Sequence, residues 1–213
     1  MSEPGFDFFI INIENRIMDA LEAAVGVEAG GYVKSIASYA GELDASSLKQ
    51  AIGELTPRLP MYLVAYGDGA DVQDPRTAAV MGEPRIYRHD CTFSVFCISG
   101  DARGDKARRR GAGSSPGVYQ MLADARRVLG GQKFQAPFED RQVLLNPSPL
   151  KFSGVEYIAR ITNLTAYAAH FDTYIRFSET DRRQQGELVA ELIFTVENTY
   201  EKGESNLPGV TAE

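Results

Sequence analysis

From Asp7 to Ala24, apolar residues recur at steps of three and four: Ile10, Ile13, Ile17, Leu21 and Ala24. Asn12, Glu14, Asn15, Asp19 and Glu22 fill the other side, so the spacing predicts an amphipathic helix. Gly26, Gly30 and Gly31 end it. Tyr32 to Tyr39 reads as a short strand, and Ala40-Gly41-Glu42 turns the chain. Asp44 or Ser46 can cap a second helix running to about Leu55, which Pro57 closes. The run MYLVAYG, Met61 to Gly67, is short, apolar and bounded by Pro60 and Gly67-Asp68-Gly69; it predicts a buried central strand. Ala70 to Glu83 reads as a polar loop. Arg85 to Ser99 is the next strand, and its TFSVFCI core is apolar on both faces.

The pattern then breaks. Gly100 to Gly117 carries five glycines, five basic residues and no large apolar residue, which predicts a mobile excursion rather than a core element. Ser114, Ser115 and Pro116 open a helix over Val118 to Leu129, with Leu122, Ala125 and Leu129 on one side and Gly130-Gly131 as its stop. After a connection containing Pro137, Pro147 and Pro149, strands are expected at Val155 to Ala159 and at Phe171 to Phe177, where apolar and polar residues alternate. Arg182 to Gly186 reads as a loop, and Leu188 to Val196 as a last strand. Segregated strands with long alternating runs favour an α+β fold: a mixed or antiparallel β-sheet flanked by helices, with long mobile loops. Residues 1–200 are expected to form one domain and residues 201–213 a flexible tail.

Composition narrows this picture. With 213 residues, 44% of them hydrophobic and 24% charged, the chain is globular rather than disordered. A net charge of −7 argues against a dedicated nucleic-acid binder, although a local basic segment can still meet phosphates. No apolar run has the roughly 20 residues needed to cross a bilayer. The acids near the N-terminus do not suit a secretory leader, so an intracellular protein is expected. Cys91 and Cys97 share one face of a single strand at about 20 Å separation, too far for a disulfide, and read as buried small hydrophobes.

Candidate chemistry is sparse. Tyr66-Gly67-Asp68-Gly69-Ala70 has glycines at a strand end but neither a dinucleotide fingerprint nor a phosphate-loop lysine, so it reads as a plain turn. His89-Asp90-Cys91 places a base, a carboxylate and a thiol together, yet strand geometry gives His89 and Cys91 no direct hydrogen bond. A core cysteine and an edge histidine are the plainer reading. Asp68, Asp71 and Asp74 do not match a calcium loop, and the two histidines and two cysteines lack zinc spacing. No catalytic residue, metal site or cofactor is therefore expected. The concentrated signal is the basic excursion, Arg103, Lys106, Arg108, Arg109 and Arg110, inside an acidic chain. It reads either as a docking surface for an acidic partner or a phosphate backbone, or as a solvated loop.

Several segments carry a family resemblance: IENRIMDALEAA from Ile13, SYAGEL at Ser38 to Leu43, PRLPMYLVAYGDG at Pro57 to Gly69, RRRG with PGVYQMLADARRVLGGQ at Arg108 to Gln132, and FDTYIRF from Phe171. Together they resemble the Mu-like phage proteins encoded just ahead of the contractile-tail sheath, in the tail-terminator position. The departures are the long Phe134–Leu150 connection and the extension after Thr180. The resemblance implies a tail-terminator-like fold and a virion protein, assembled in the bacterial cytoplasm, that caps the completed tail tube and joins it to the neck. Its implied partners are its own copies in a ring, a hexamer, with tail tube and sheath proteins and a head-completion protein. No enzymatic residues and no membrane are implied. The competing reading is a head-to-tail connector lining the DNA channel, with Arg108 to Arg110 against DNA. A third is an enzyme resting on His89, Cys91 and the scattered acids.

Overall fold

The computed structural model describes residues 4–39, 58–73, 86–100, 105–111, 116–161 and 164–178. The first element, α1 (Phe6–Val25), buries Phe9, Ile13, Ile17, Leu21 and Val25; the predicted face shares Ile13, Ile17 and Leu21, but Ile10 is only half-buried and Ala24 is exposed, their places being taken by Phe9 and Val25. A 3-10 turn over Val27–Ala29 follows, and Gly30 leaves it with φ 79°, a left-handed conformation that suits glycine. The strands β1 (Ser35–Ser38), β2 (Met61–Gln73) and β3 (Ile86–Gly100) come next. Two helices, α2 (Asp105–Arg110) and α3 (Val118–Leu129), precede a small hairpin of β4 (Gln135–Phe138) and β5 (Arg141–Leu144). Two long strands close the described chain, β6 (Lys151–Ile161) and β7 (Leu164–Ser178).

Five strands form one sheet in the order β1-β2-β3-β7-β6. β1 is parallel to β2, and every other pairing is antiparallel. The fold is therefore α+β with a mixed sheet, as the strand pattern predicts. One sheet face carries α1 and α3. There Tyr62, Val64, Phe93, Val95, Cys97 and Phe171 pack against Ile13, Ile17, Leu21, Met121 and Leu129 in the main core. The other face buries a smaller cluster around Leu59, Met61, Leu63, Ile98, Leu164 and Ala166. β2 lies between β1 and β3, with Leu63 and Val64 both fully buried on opposite faces, which is why MYLVAYG lacks polar alternation. The described residues contain no helix long and apolar enough to cross a membrane.

Four expectations change. β2 does not stop at Gly67; it continues through the Gly-Asp-Gly segment to Gln73, because a β-bulge absorbs the irregularity. The basic excursion is not structureless, since α2 forms within it. β7 starts seven residues before Phe171, in a stretch whose alanines carry little strand propensity. The proline-bearing connection holds the β4–β5 hairpin, whose Pro137 sits in a two-stranded sheet and so removes no donor from a central ladder. The second helix from Asp44 or Ser46 to Leu55, most of the Ala70–Glu83 loop, the Arg182–Gly186 loop, the Leu188–Val196 strand and the tail at 201–213 lie outside the described residues.

Buried Asn146 organises the connection around that hairpin. Its Oδ1 accepts from Phe134 N at 2.6 Å, and its Nδ2 donates to Gln132 O at 3.1 Å and Ser148 O at 3.0 Å. The hairpin then rests on α1, where Phe8 meets Phe138 edge-on at 5.0 Å and Arg16 Nε donates to Gln135 O at 3.0 Å. Replacing Asn146 by Ala leaves the Phe134 N–H and two carbonyls without that partner. Chemical denaturation of Asn146→Ala should show a loss of about 3 kcal/mol; a loss below roughly 0.5 kcal/mol would mean the connection is held by something else.

Candidate interaction surface

The bulge in β2 creates the one polar network that resembles chemistry. Tyr66 pairs with Phe93 and Gly69 with Cys91, so two residues, Gly67 and Asp68, oppose the single Thr92. In a regular strand, residues five apart point to opposite faces. The extra residue reverses that parity and brings Tyr66 and Asp71 to the same, helix-facing side. Both then reach His89, with Nδ1 at 2.6 Å from Asp71 Oδ1 and Nε2 at 2.7 Å from the Tyr66 hydroxyl. A carboxylate can only accept, which makes Nδ1 the donor and leaves Nε2 to accept from Tyr66. Gly69 lies beneath: a Cβ there would run into His89 Nε2 and the Tyr66 hydroxyl. Tyr66 N donates to Glu14 Oε1 at 2.6 Å, tying α1 to the bulge. Burial raises the Glu14 carboxyl above its ordinary range, and this hydrogen bond opposes the rise.

The arrangement is an Asp-His-Tyr chain, but both ring nitrogens are occupied and Phe6 lies edge-on to the imidazole at 4.8 Å. At 7% exposure, His89 is buried in a central strand rather than sitting on an edge, contrary to the plainer sequence reading. Its neighbour Cys91 shares its face, as expected, and its thiol is pushed up to about 12 by burial, with the charges of Asp90 and Asp172 adding to the rise. Cys97 is fully buried and also raised, by burial. Both cysteines are free. Among the described residues no cluster of histidine, cysteine and acidic side chains is suited to a metal ion.

Beside the bulge lies an open cavity of about 520 Å³ lined by Asp68, Arg88, Asp90, Cys91, Asp172 and Tyr174 among others. Its charges engage one another: Arg88 pairs with Asp90, and Asp172 accepts from Thr92 and Ser153 hydroxyls, both at 2.9 Å. The Arg88 guanidinium also stacks on the Tyr174 ring at 4.4 Å from its centroid. His170 points to the sheet face opposite the helices, with Nδ1 3.0 Å from Ser94 Oγ and Nε2 3.4 Å from Glu156. It is remote from His89 and Cys91, which lie on the helix side.

The basic segment divides into two kinds of residue. Arg108 is only 4% exposed; its Nε donates to Thr165 Oγ1 at 3.2 Å, and its aliphatic stem is buried with it. It pins α2 to β7 and is the least exposed of the described basic residues in this segment. Arg109 is half-buried, with Nη1 3.5 Å from the Tyr119 hydroxyl of α3. Lys106 and Arg110 are exposed. Arg103 lies outside the described residues. Sequence reading missed the neighbours. Tyr119 meets Tyr167 at 6.0 Å between ring centroids and Tyr157 meets Tyr167 at 5.3 Å, forming an aromatic file from α3 across β7 to the edge strand β6. The period-two spacing of Val155 and Tyr157 was legible, but not that this face of β6 would be left uncovered. Tyr157 is 53% exposed, Val155 48% and Tyr119 44%. Tyrosine and arginine together are what buried interface anchors are made of.

Across residues 9–175 the chain matches the model of a protein family described as Bacteriophage Mu, Gp37. Among solved structures, a chain of the "Virion of native gene transfer agent (GTA) particle" is similar at 14% identity with a TM-score of 0.36; the match covers 81% of this chain and 96% of that one. No curated protein matches.

Two measurements separate anchor from surface and thiol from nucleophile. Arg108→Ala should lose about 1–3 kcal/mol of stability, because it removes a buried hydrogen bond and a packed stem. Lys106→Ser and Arg110→Ser should stay within roughly 0.5 kcal/mol of the parent; equal melting curves for all three would refute this division. In the second measurement, with a thiol near 12 only on the order of one Cys91 in ten thousand is thiolate at pH 8. Native protein should therefore resist alkylation at both cysteines until denaturant is added. Fast labelling of Cys91 in the folded chain would revive the catalytic reading.

Proposed function

Because the chain belongs to the bacteriophage Mu Gp37 family of phage proteins, we propose that it is a structural virion protein that caps the completed tail tube as a ring and joins the tail to the neck. The observation that carries this reading is the family match over residues 9–175, which contains the helix, strand and late-strand segments whose sequence resembles the tail-terminator position. The structure gives physical support of a different kind. The His89 nitrogens are satisfied within the fold, and the cysteines are buried. The exposed special feature is a surface, not a cleft. A ring subunit needs two different surfaces that are complementary to each other, one for each neighbour, and a protein acting this way works through shape and charge.

Terminating a tube also suits weak lateral affinity. Subunits held side by side on a symmetric tube end meet one another at high effective concentration, so contacts too weak to close a ring in solution become cooperative there. The chain then remains dispersed until a finished tube presents its end. Phage assembly in a host expressing no copy of this protein should give tubes of uncontrolled length, visible by negative-stain microscopy, and no infectious particles. Normal infectious particles would overturn the reading. Tubes of correct length lacking heads would transfer the role to the connector alternative.

A further inference from the structure

The ring reading leaves open which surfaces meet, and the inference here rests on that reading for its occupant. We propose that the Tyr119–Tyr157–Tyr167 file, with Arg109 against it and the exposed Lys106 and Arg110 on the same helix, docks on the acidic end of α1 in a second copy of this chain. The first surface combines three aromatic rings with Arg109, whose Nη1 lies 3.5 Å from the Tyr119 hydroxyl, and with the exposed Lys106 and Arg110 of α2; β6 is the outermost described strand at this end of the sheet. An uncovered group of large apolar side chains rimmed by charge marks an interaction site.

The complementary surface lies at the other end of the strand order. Whereas α2 packs on β7 and β3, α1 packs on β1 and β2. At the C-terminal end of α1, Asp19, Glu22 and Glu28 surround an open groove of about 380 Å³ floored by Ala23 and Ala29. Val27 beside it is 53% exposed. Small residues at the floor leave room for a ring, an exposed valine gives it an apolar contact, and three carboxylates oppose the α2 cations. Arg16, which pairs with Asp19 at 3.5 Å, offsets one of those carboxylates only partly, since both side chains are largely open to water.

Two different patches that fit each other make a heterologous contact, which repeats from copy to copy and closes when the rotation allows. The chain as a whole carries −7, so copies repel at long range. Attraction must come from local complementarity, and it must be weak and sensitive to salt. That matches a subunit that stays apart until a tube end gathers it.

The test uses the full chain with charges reversed on either surface. One variant carries Lys106→Glu and Arg110→Glu; the other carries Asp19→Lys and Glu28→Lys; melting curves confirm that both fold. Sedimentation at high protein concentration and low salt should show the parent self-associating, with the association suppressed by added salt. Each variant alone should associate at least about tenfold more weakly. An equimolar mixture should recover association, because each reversed surface now meets an opposite charge. Tyr157→Ala should weaken it without altering the salt dependence. Association unchanged in both variants would overturn this interface while leaving the ring intact. A parent chain that stays monomeric in solution and shows no ring on purified tail tubes would overturn the interface and the ring reading together. A monomeric parent that binds DNA or tube protein through Lys106 and Arg110 would assign the surface to that partner instead.

Discussion

Fifteen consecutive residue pairs join β3 to β7 without a register shift, from Ile86 opposite Ser178 to Gly100 opposite Leu164. The rest of the structure depends on this pairing. Side chains alternate with a period of two, so a slip by one residue would exchange every inward and outward side chain at once. In the observed register Cys91, Phe93, Val95 and Cys97 join the core beneath the helices, as do Ala169, Phe171 and Ile175 of β7. Thr92, Ser94, His170 and Asp172 take the other face and bond among themselves. The same register sets Tyr167 in one row with Cys97, Tyr62 and Ile36, and continues it to Tyr157 on the edge strand. A core row in the middle of the sheet thus becomes a surface row at its β6 end.

How much of this was legible follows from where period and packing agree. α1 and α3 were readable because their apolar spacing coincides with the buried face, Ile13, Ile17 and Leu21 in one and Ala125 and Leu129 in the other. The central strands were readable because Met61 to Val64 and Phe93 to Ile98 have no polar side to hide. The β2 bulge was not. Gly-Asp-Gly is turn chemistry, and only the pairing partner shows that Gly69 serves the approach of His89 rather than a reversal of the chain. The hairpin at Gln135–Leu144 was lost behind prolines, and the first half of β7 behind alanines. Both elements depend on tertiary contacts, an Asn146 hub in one case and two flanking strands in the other.

The site shows the same division. Charge density singles out Lys106 and the arginines within an acidic chain, but sequence cannot say which basic residue is spent on the fold. Arg108 is, because Thr165 stands within hydrogen-bond distance and the surrounding strands bury its stem. Nor could sequence join Tyr119 to Tyr157 and Tyr167, which come together only because β6 and β7 pair beside α3.

β6 carries Tyr157, the outer end of the aromatic file. Among the described strands it is outermost, and an edge with unpaired ladder positions invites indiscriminate strand addition. Its pairing with β7 shifts register twice, between Phe152 and Gly154 and again between Tyr157 and Ala159. Bulges of this kind twist an edge and spoil a regular template for a further strand. This end of the sheet therefore presents side chains, the rings of Tyr157 and Tyr167, rather than a regular backbone ladder that accepts any extended segment. Side-chain contacts also discriminate more sharply: a mismatched partner leaves a charge opposed by a like charge, whereas a backbone ladder carries no such penalty.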